Sequence, residues 1–462
     1  SLMEINNGIT IWKDEISDSD VEFIKNDLIV PNPKYVSAIN RGRRPVIKVN
    51  GRYESIPKEV YFMREYPDRI EVPLAYADRL SGIIDINDDL IQPPSVNGKT
   101  TIQFRDYQQE AVDNLIQHNF GIICSPAASG KTIMGIGIVQ LLQKKTLWIA
   151  HREGLVTQAI KTFEEYSNER AGFIGKGKIE VGRLFTGGII NTVEKYVNDL
   201  KSENFEVIFI DEVHRAPTSR VFNALNGLSP TVTYGLSATP FREDGLDDIL
   251  YNLVGPIRCE IQRERLVKEG YIITPTIHIV ETGLSILMDD MEYSDYITSM
   301  VSNVDRNMDI LKILLVSAAN NIKTFVLCDR TAHCDFLYDT LSKMINNVGV
   351  VHGKNKKMEK TIRSDVADGK FSIVITNYQY FSDGFDIPEI QMLLFVAPFS
   401  SAIRCEQTVG RVQRICQDKP DAYVIDLVDD NPISRSQLKN RLKVYEKLGC
   451  RYKFIRKDNL IW

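Results

Sequence analysis

Long apolar runs are the first thing this sequence lacks. None approaches the roughly 20 residues that cross a bilayer, so no membrane span is expected. The N-terminus, Ser1-Leu2-Met3-Glu4, has no basic region followed by an apolar core, so no secretory leader is expected either. Cysteine is sparse and unpatterned. The seven residues, Cys124, Cys259, Cys328, Cys334, Cys405, Cys416 and Cys450, form no C-x-x-C pair and are odd in number. Reduced thiols in a cytoplasmic, reducing compartment are therefore expected, in place of zinc or disulfides. An excess of basic charge is lacking too: 56 Lys and Arg stand against 61 Asp and Glu, a net charge of −5. That argues against a protein coated in basic surface but leaves room for a local patch.

What is present is a globular chain of several parts. Its 462 residues exceed one ordinary domain, and 43% apolar with 25% charged residues is the usual globular balance. Residues 1–98 read as a small β-rich N-terminal domain, followed by α/β domains over 99–272 and 273–462. In the first, short extended runs such as Arg44–Val49 and Val60–Met63 flank Asn50-Gly51, a hairpin-type turn. Charge here is uneven. Lys34, Arg41, Arg43, Arg44, Lys48, Arg52, Lys58 and Arg64 face only Glu54 and Glu59, with Tyr35, Tyr53, Tyr61 and Phe62 interleaved. Basic groups contact phosphates and aromatic rings stack on bases, which makes Arg41, Arg43, Arg44, Lys48 and Arg52 candidate nucleic-acid contacts. A solvated face beside a small core reads equally well. Gln92–Gly98 reads as a linker.

The stretch that organises the chain is Cys124-Ser125-Pro126-Ala127-Ala128-Ser129-Gly130-Lys131-Thr132. An apolar strand pattern precedes it and a helical pattern follows it. A strand, a small-residue loop and a helix opening at Gly-Lys-Thr is the setting of a phosphate-binding P-loop. Backbone N–H groups from Ser125 to Gly130 would curl around a polyphosphate, aided by the helix N-terminus. Lys131 would reach the β- and γ-phosphates of ATP and the Thr132 hydroxyl would bind Mg²⁺. Ser125 stands where such loops usually begin with glycine.

Other segments add to it. Upstream, Gln108 starts a helix, and its amide offers a donor and an acceptor to adenine. Downstream, Val207–Ile210 runs into Asp211-Glu212-Val213-His214. Asp211 would hold Mg²⁺ through its shell and Glu212 would orient and deprotonate an attacking water. An acidic strand terminus is the plainer reading. His151 ends another apolar strand and reads as a cap or as part of a nucleic-acid-binding loop. Ser237 and Thr239 place hydroxyls at a strand end, suited, with His214, to coupling two sites. A second strand–helix alternation begins near residue 275. Late in it, Gln407, Arg411 and Arg414 fall at i, i+4 and i+7, one face of a helix. Guanidiniums there suit a γ-phosphate, or form a solvated stripe. Finally Arg435, Lys439, Lys443 and Lys447 recur every four residues opposite Leu438, Leu442 and Tyr445. Phosphate contact by Lys439, Lys443 and Lys447 is preferred over a helix docked with a wet outer face.

The ordered set Tyr107-Gln108, Ser129–Thr132, Asp211–His214, Ser237–Thr239, Asp383–Pro388 and Gln407–Arg414 resembles the superfamily 2 helicases over roughly residues 100 to 425. The resemblance implies two tandem RecA-like P-loop domains with ATP between them. The first would supply Lys131, Thr132, Asp211 and Glu212; the second would supply Gln407, Arg411 and Arg414, with Gly384 and Asp386 contributing to nucleotide binding. Asp-Glu-Val-His departs from the Asp-Glu-Ala-Asp of many RNA helicases. Phe241–Leu246 and Leu253–Ile257 resemble the DNA-directed branch, and the compact size resembles phage branch-migration helicases. Thr186-Gly187-Gly188 matches the family poorly. The expected activity is an ATP-dependent DNA helicase or translocase acting as a monomer on branched DNA. An RNA helicase, a duplex translocase and an ATP-gated clamp stay open as alternatives.

Overall fold

The computed structural model describes residues 3–5, 8–49, 52–83, 92–239, 246–285, 292–382, 387, 389–415 and 421–456. The Asn50-Gly51 turn, the 241–245 run, Gly384, Asp386, Pro388, Cys416, Lys457 and Asp458 lie outside these. By contacts the chain divides into two compact units, Ser1–Pro126 with Gly130–Ile261, and Gln262–Trp462 with Ala127–Ser129. No helix among the described residues is long and apolar enough to cross a membrane.

The first unit opens with eight short strands: β1 (Met3–Ile5), β2 (Ile9–Trp12), β3 (Ile29–Pro31), β4 (Val46–Val49), β5 (Arg52–Ser55), β6 (Glu59–Tyr61), β7 (Arg64–Glu65) and β8 (Arg69–Val72). They form an antiparallel sheet in the order β1-β2-β8-β7 and two ribbons, β3-β6 and β4-β5. The helix Asp18–Leu28 starts in a capping box, in which Ser17 and Asp20 satisfy each other's backbone N–H groups.

Eight further strands follow: β9 (Phe120–Cys124), β10 (Thr146–Ala150), β11 (Gly172–Gly175), β12 (Lys178–Glu180), β13 (Phe185–Ile189), β14 (Val207–Asp211), β15 (Val232–Ser237) and β16 (Ile257–Glu260). Their order is β12-β11-β13-β10-β14-β15-β9-β16, parallel except at β12. β9, β10, β14 and β15 are buried at every position, as parallel strands covered on both faces must be. Side by side in register, Trp148, Phe209 and Tyr234 form a ladder of rings, with centroids 5.0 and 5.4 Å apart. Trp148 also explains Gly135 in the helix above it, where a Cβ would come within 2.6 Å of the indole.

The N-terminal strands share one core with this sheet. Ile11, Ile24, Phe62, Ile70 and Tyr76 belong to the same buried cluster as Ala224, Leu250 and Leu253. Phe62 meets Phe222 edge to face at 5.7 Å. Arg258 on β16 donates to the Phe120 carbonyl at 3.0 Å and pairs with Asp78 of the N-terminal region.

The second unit holds β17 (Thr276–Ser285), β18 (Thr324–Cys328), β19 (Val348–Val350), β20 (Ile373–Asn377), β21 (Met392–Phe395), β22 (Tyr423–Asp430) and β23 (Tyr452–Arg456). All are parallel, in the order β19-β20-β18-β21-β22-β17-β23. Two buried carboxylates on β22 tie helices to it. Asp426 accepts two bonds from Arg441, both at 2.8 Å, and one from the Tyr445 hydroxyl at 2.7 Å. Asp429 accepts from Arg306 and from the Tyr296 hydroxyl, each at 2.7 Å.

Two stability tests follow from these cores. Phe62→Ala empties a fully buried site shared by both parts of the first unit, and denaturant unfolding should show a loss of about 3–5 kcal/mol. Arg441→Met strands the Asp426 carboxylate in an apolar interior and should also cost about 3–5 kcal/mol by the same measurement.

Candidate nucleotide and nucleic-acid sites

Register brings the P-loop and the acidic pair together. On β9, β15 and β14, Cys124 lies beside Ser237, and Leu236 beside Asp211. The loops leaving these strands therefore emerge at one edge of the sheet, where ligands of open α/β sheets bind. A backbone bond from Ser125 N to Ser237 O, 2.8 Å, fixes the start of the P-loop there.

The loop turns without glycine at Ser125. Its left-handed residues are Ala128 (φ 67°) and Gly130 (φ 83°). Gly130 is required twice over, because a Cβ there would also come within 2.5 Å of Gln108 Nε2. Gln108 is buried, and its other amide atom, Oε1, accepts from Arg105 N at 3.0 Å. The helix Lys131–Leu142 begins directly after Gly130, and Thr132 is half-buried in its first turn. Lys131 Nζ folds back on the Ser125 and Pro126 carbonyls at 3.1 and 3.4 Å, closing the loop's hollow on itself.

Asp211 is buried at the end of β14. Burial and the Glu212 carboxylate push it up to about 7, against the Lys131 ammonium and the Glu212 N–H, which favour its ionised form. That N–H donates to Asp211 Oδ1 at 2.9 Å, and Glu212 itself turns left-handed at φ 49°. A divalent cation would meet the charge that burial penalises, so these residues fit Mg²⁺ held against a polyphosphate. No cluster of three or more His, Cys, Asp or Glu among the described residues could hold a metal. Asp211 and Thr132 would share the ion with the phosphates.

The hydroxyls and histidines nearby are placed as follows. Ser237 Oγ donates to the Thr239 carbonyl at 2.8 Å and accepts from Thr239 N at 3.2 Å, so the two residues form one closed turn. His214 is buried, with its ring 6.5 Å from Tyr251 at 77°. His151 is pushed down to about 4 by burial and by Arg152 and Arg215, which makes it a neutral imidazole beside the acidic pair. Thr186-Gly187-Gly188 lies inside β13, where a Cβ at Gly187 would come within 2.8 Å of Val156 and Ile160 of the neighbouring helix. Its small residues serve packing.

Gln407, Arg411 and Arg414 belong to the second unit. The expectation of one helical face is corrected for Arg414. The helix Ala402–Val412 carries Gln407 and Arg411 and ends before Arg414, which bridges to Ile272. Gln413 caps that end and is buried, its side-chain oxygen accepting from Arg263 at 2.7 Å. Arg411 donates to the Phe381 carbonyl, and its guanidinium carbon lies 4.5 Å from the centre of the Phe381 ring. Phe381 was not singled out from the sequence; the aromatic run Tyr378–Phe381 ahead of Asp383 was the available signal.

Two basic surfaces complete the inventory. None of the described residues from 31 to 61 is buried. This excursion, a helix Pro33–Asn40 and the β4–β5 hairpin, is held at its base by the β3–β6 ladder. It carries Arg41, Arg43, Arg44, Lys48 and Arg52, all exposed, and Tyr53, 73% exposed with Lys48 Nζ 5.9 Å from its ring centre. On the helix Pro432–Lys447, Lys439 and Lys443 are exposed. Two other basic residues of this helix have acidic partners: Lys447 pairs with Glu406 at 2.9 Å and Arg435 with Asp430 at 2.7 Å.

With the geometry in place, comparison with known proteins gives a consistent answer. Residues 101–242 match the family described as type III restriction enzyme, res subunit, and residues 305–416 match the helicase conserved C-terminal domain. The chain is 26% identical over 468 residues to a candidate ATP-dependent RNA helicase, L396, of Acanthamoeba polyphaga mimivirus, covering 95% of this chain and 84% of that protein. It is 24% identical over 353 residues to the ATP-dependent DNA helicase uvsW of Enterobacteria phage T4, covering 72% and 70%. Among solved structures, a fragment of a candidate HsdR subunit of a type I restriction enzyme from Vibrio vulnificus YJ016 superposes with a TM-score of 0.59 at 19% identity, over 83% of this chain and 74% of that one. That likeness establishes the shared fold. The two family matches cover the P-loop region and the arginine-bearing region in the order the motifs require, and together they support an ATP-hydrolysing helicase or translocase of the superfamily 2 type.

Proposed function

We propose that the chain is an ATP-driven DNA motor acting on branched or forked duplex. The observation that carries this reading is the 31–61 excursion, because none of its described residues is buried in a core. Seven basic residues there face two acidic ones, and Tyr53 is offered to solvent. Such a surface suits phosphates and an unpaired base. Its base is fused to the P-loop unit through the common core, so duplex held there would be held by the motor itself.

In this reading Gln108 selects adenine, and the N–H groups from Ser125 to Gly130 cradle the phosphates. Lys131 leaves the Ser125 and Pro126 carbonyls for the β- and γ-phosphates. Thr132 and Asp211 hold Mg²⁺, which neutralises phosphate charge, and Glu212 takes the proton of the attacking water. Arg411 and Arg414 stabilise the charge of phosphoryl transfer, and Gln407 helps orient the water. His214, Ser237 and Thr239 link nucleotide state to the grip on the strand. Lys439 and Lys443 add phosphate contacts from the second unit. Gly384 and Asp386 are assigned to the nucleotide by their motif alone. A monomer is sufficient for all of these roles.

An RNA substrate is the second reading, favoured by the name of the mimivirus relative. ATP turnover separates the two when measured without nucleic acid and with single-stranded DNA, linear duplex, a four-way junction or RNA. Stimulation greatest with the junction is expected; stimulation by RNA alone would transfer the assignment. Lys131→Ala should fold with unchanged circular dichroism and lose at least about a hundredfold in turnover. Full ATPase in that variant would remove the nucleotide site from this loop. Combining Arg44→Ala, Lys48→Ala and Tyr53→Ala should weaken junction binding about tenfold or more while sparing ATPase without nucleic acid. Unchanged affinity would reject the excursion as a contact.

A further inference from the structure

Between residues 435 and 456 the chain carries eight cations and one acid, Glu446. Arg441 is buried on Asp426, and Arg435 and Lys447 pair with Asp430 and Glu406. Lys439 and Lys443 are exposed, and with Glu446 they fall at i, i+4 and i+7, one face of the helix Pro432–Lys447. After the turn at Gly449 the chain enters β23, the edge strand beside β17. Its aromatic residues reach solvent: Tyr452 is 36% exposed and Phe454 60%. Alternation puts Tyr452, Phe454 and Arg456 on one face, beside Ile277, Ile279 and Glu281 of β17. That is the face the helix covers, since Ile277 and Ile279 share a buried cluster with Leu438, Val444 and Tyr445. The Tyr452 hydroxyl donates to Glu446 Oε1 at 3.0 Å, which pins the helix end to the strand's first residue and engages the segment's one acid.

From that pin the two elements climb side by side, because a helix joining parallel strands runs antiparallel to them. On the helix, Lys443 and Lys439 lie about 4.5 and 10.5 Å above Glu446. On the strand, Phe454 and Arg456 lie about 7 and 13 Å above Tyr452. The Phe454 ring is thus level with the interval between the two lysines. We propose that this strip binds single-stranded nucleic acid, one base stacking on Phe454 while Lys439, Lys443 and Arg456 meet the flanking phosphates. The proposal rests on the reading of Lys439 and Lys443 as phosphate contacts. Charge selects a polyanion, and a ring with an open face selects one whose bases are unstacked, which excludes intact duplex. Guarding a sheet edge against pairing accounts for Lys453 but does not call for a phenylalanine set between cations.

The experiment uses the full chain and a fluorescein-labelled oligothymidylate of about sixteen nucleotides, followed by anisotropy over a range of salt. Phe454→Leu keeps apolar volume and removes the ring. It should weaken binding about tenfold without changing the slope of log affinity against log salt. Phe454→Trp should bind as tightly as the wild-type chain. Lys439→Ala/Lys443→Ala should weaken binding and lower that slope by about 1.4, the value for two phosphates of a single strand. Oligouridylate should respond in the same way, because every base offers a ring face, and blunt duplex should not respond to Phe454→Leu. Thermal unfolding checks that each variant is folded at the assay temperature. Unchanged affinity in folded Phe454→Leu, beside a weakened lysine variant, would overturn the stacking site and leave the phosphate contacts standing. An equal loss on blunt duplex would overturn it as well. Unchanged affinity in both variants would remove the reading of the lysines together with the proposal, and would leave the 31–61 excursion to its own test.

Discussion

A carboxylate at the end of a dry strand is the constraint around which the first unit is arranged. Asp211 closes β14, a strand with no exposed residue, and burial with the Glu212 carboxylate beside it pushes it up to about 7. Its neighbours respond to that charge. Glu212 turns left-handed so that its N–H can reach Asp211 while its own carboxylate stays beside it. Lys131 supplies positive potential from across the P-loop. Because the strand ends are fixed in register by the Trp148–Phe209–Tyr234 ladder, these groups cannot drift apart. In such a low-dielectric setting, a metal-bound phosphate meets strong, fixed electrostatics and little water.

The second unit uses buried charge differently. Asp426 and Asp429 are satisfied by arginines and tyrosines at 2.7 to 2.8 Å. These pairs fasten helices to β22 and leave no charge over for chemistry. Arg411 meets the Phe381 ring and its backbone carbonyl.

Much of this was legible in the sequence. Apolar runs ending in small or acidic residues marked β9, β14 and β15, because parallel strands buried on both faces leave no room for polar alternation. The loop of Ser129, Gly130 and Lys131 could be read because phosphate binding dictates both residue size and spacing. What escaped depends on contacts distant in sequence. Nothing local distinguishes Arg441, wholly buried on Asp426, from the exposed Lys439 and Lys443 beside it. The fusion of the N-terminal strands to the P-loop sheet depends on Phe62 finding Phe222. Arg414 fits a helical face by spacing, yet the helix stops at Val412, and Gln413 beyond it is bonded to Arg263. The role of Ser125 could not be settled by composition either, since the turn is made by Ala128 and Gly130.

In the proposed function, hydrolysis at Lys131, Asp211 and Glu212 moves the protein along DNA. The direct measurement is displacement of a third strand from duplex tracks of increasing length, followed in time after ATP is added. A motor gives a lag that grows in proportion to track length and vanishes when Glu212→Gln replaces the wild-type chain. A lag independent of length, with ATP still consumed, would contradict movement and describe a clamp that hydrolyses ATP only to let go.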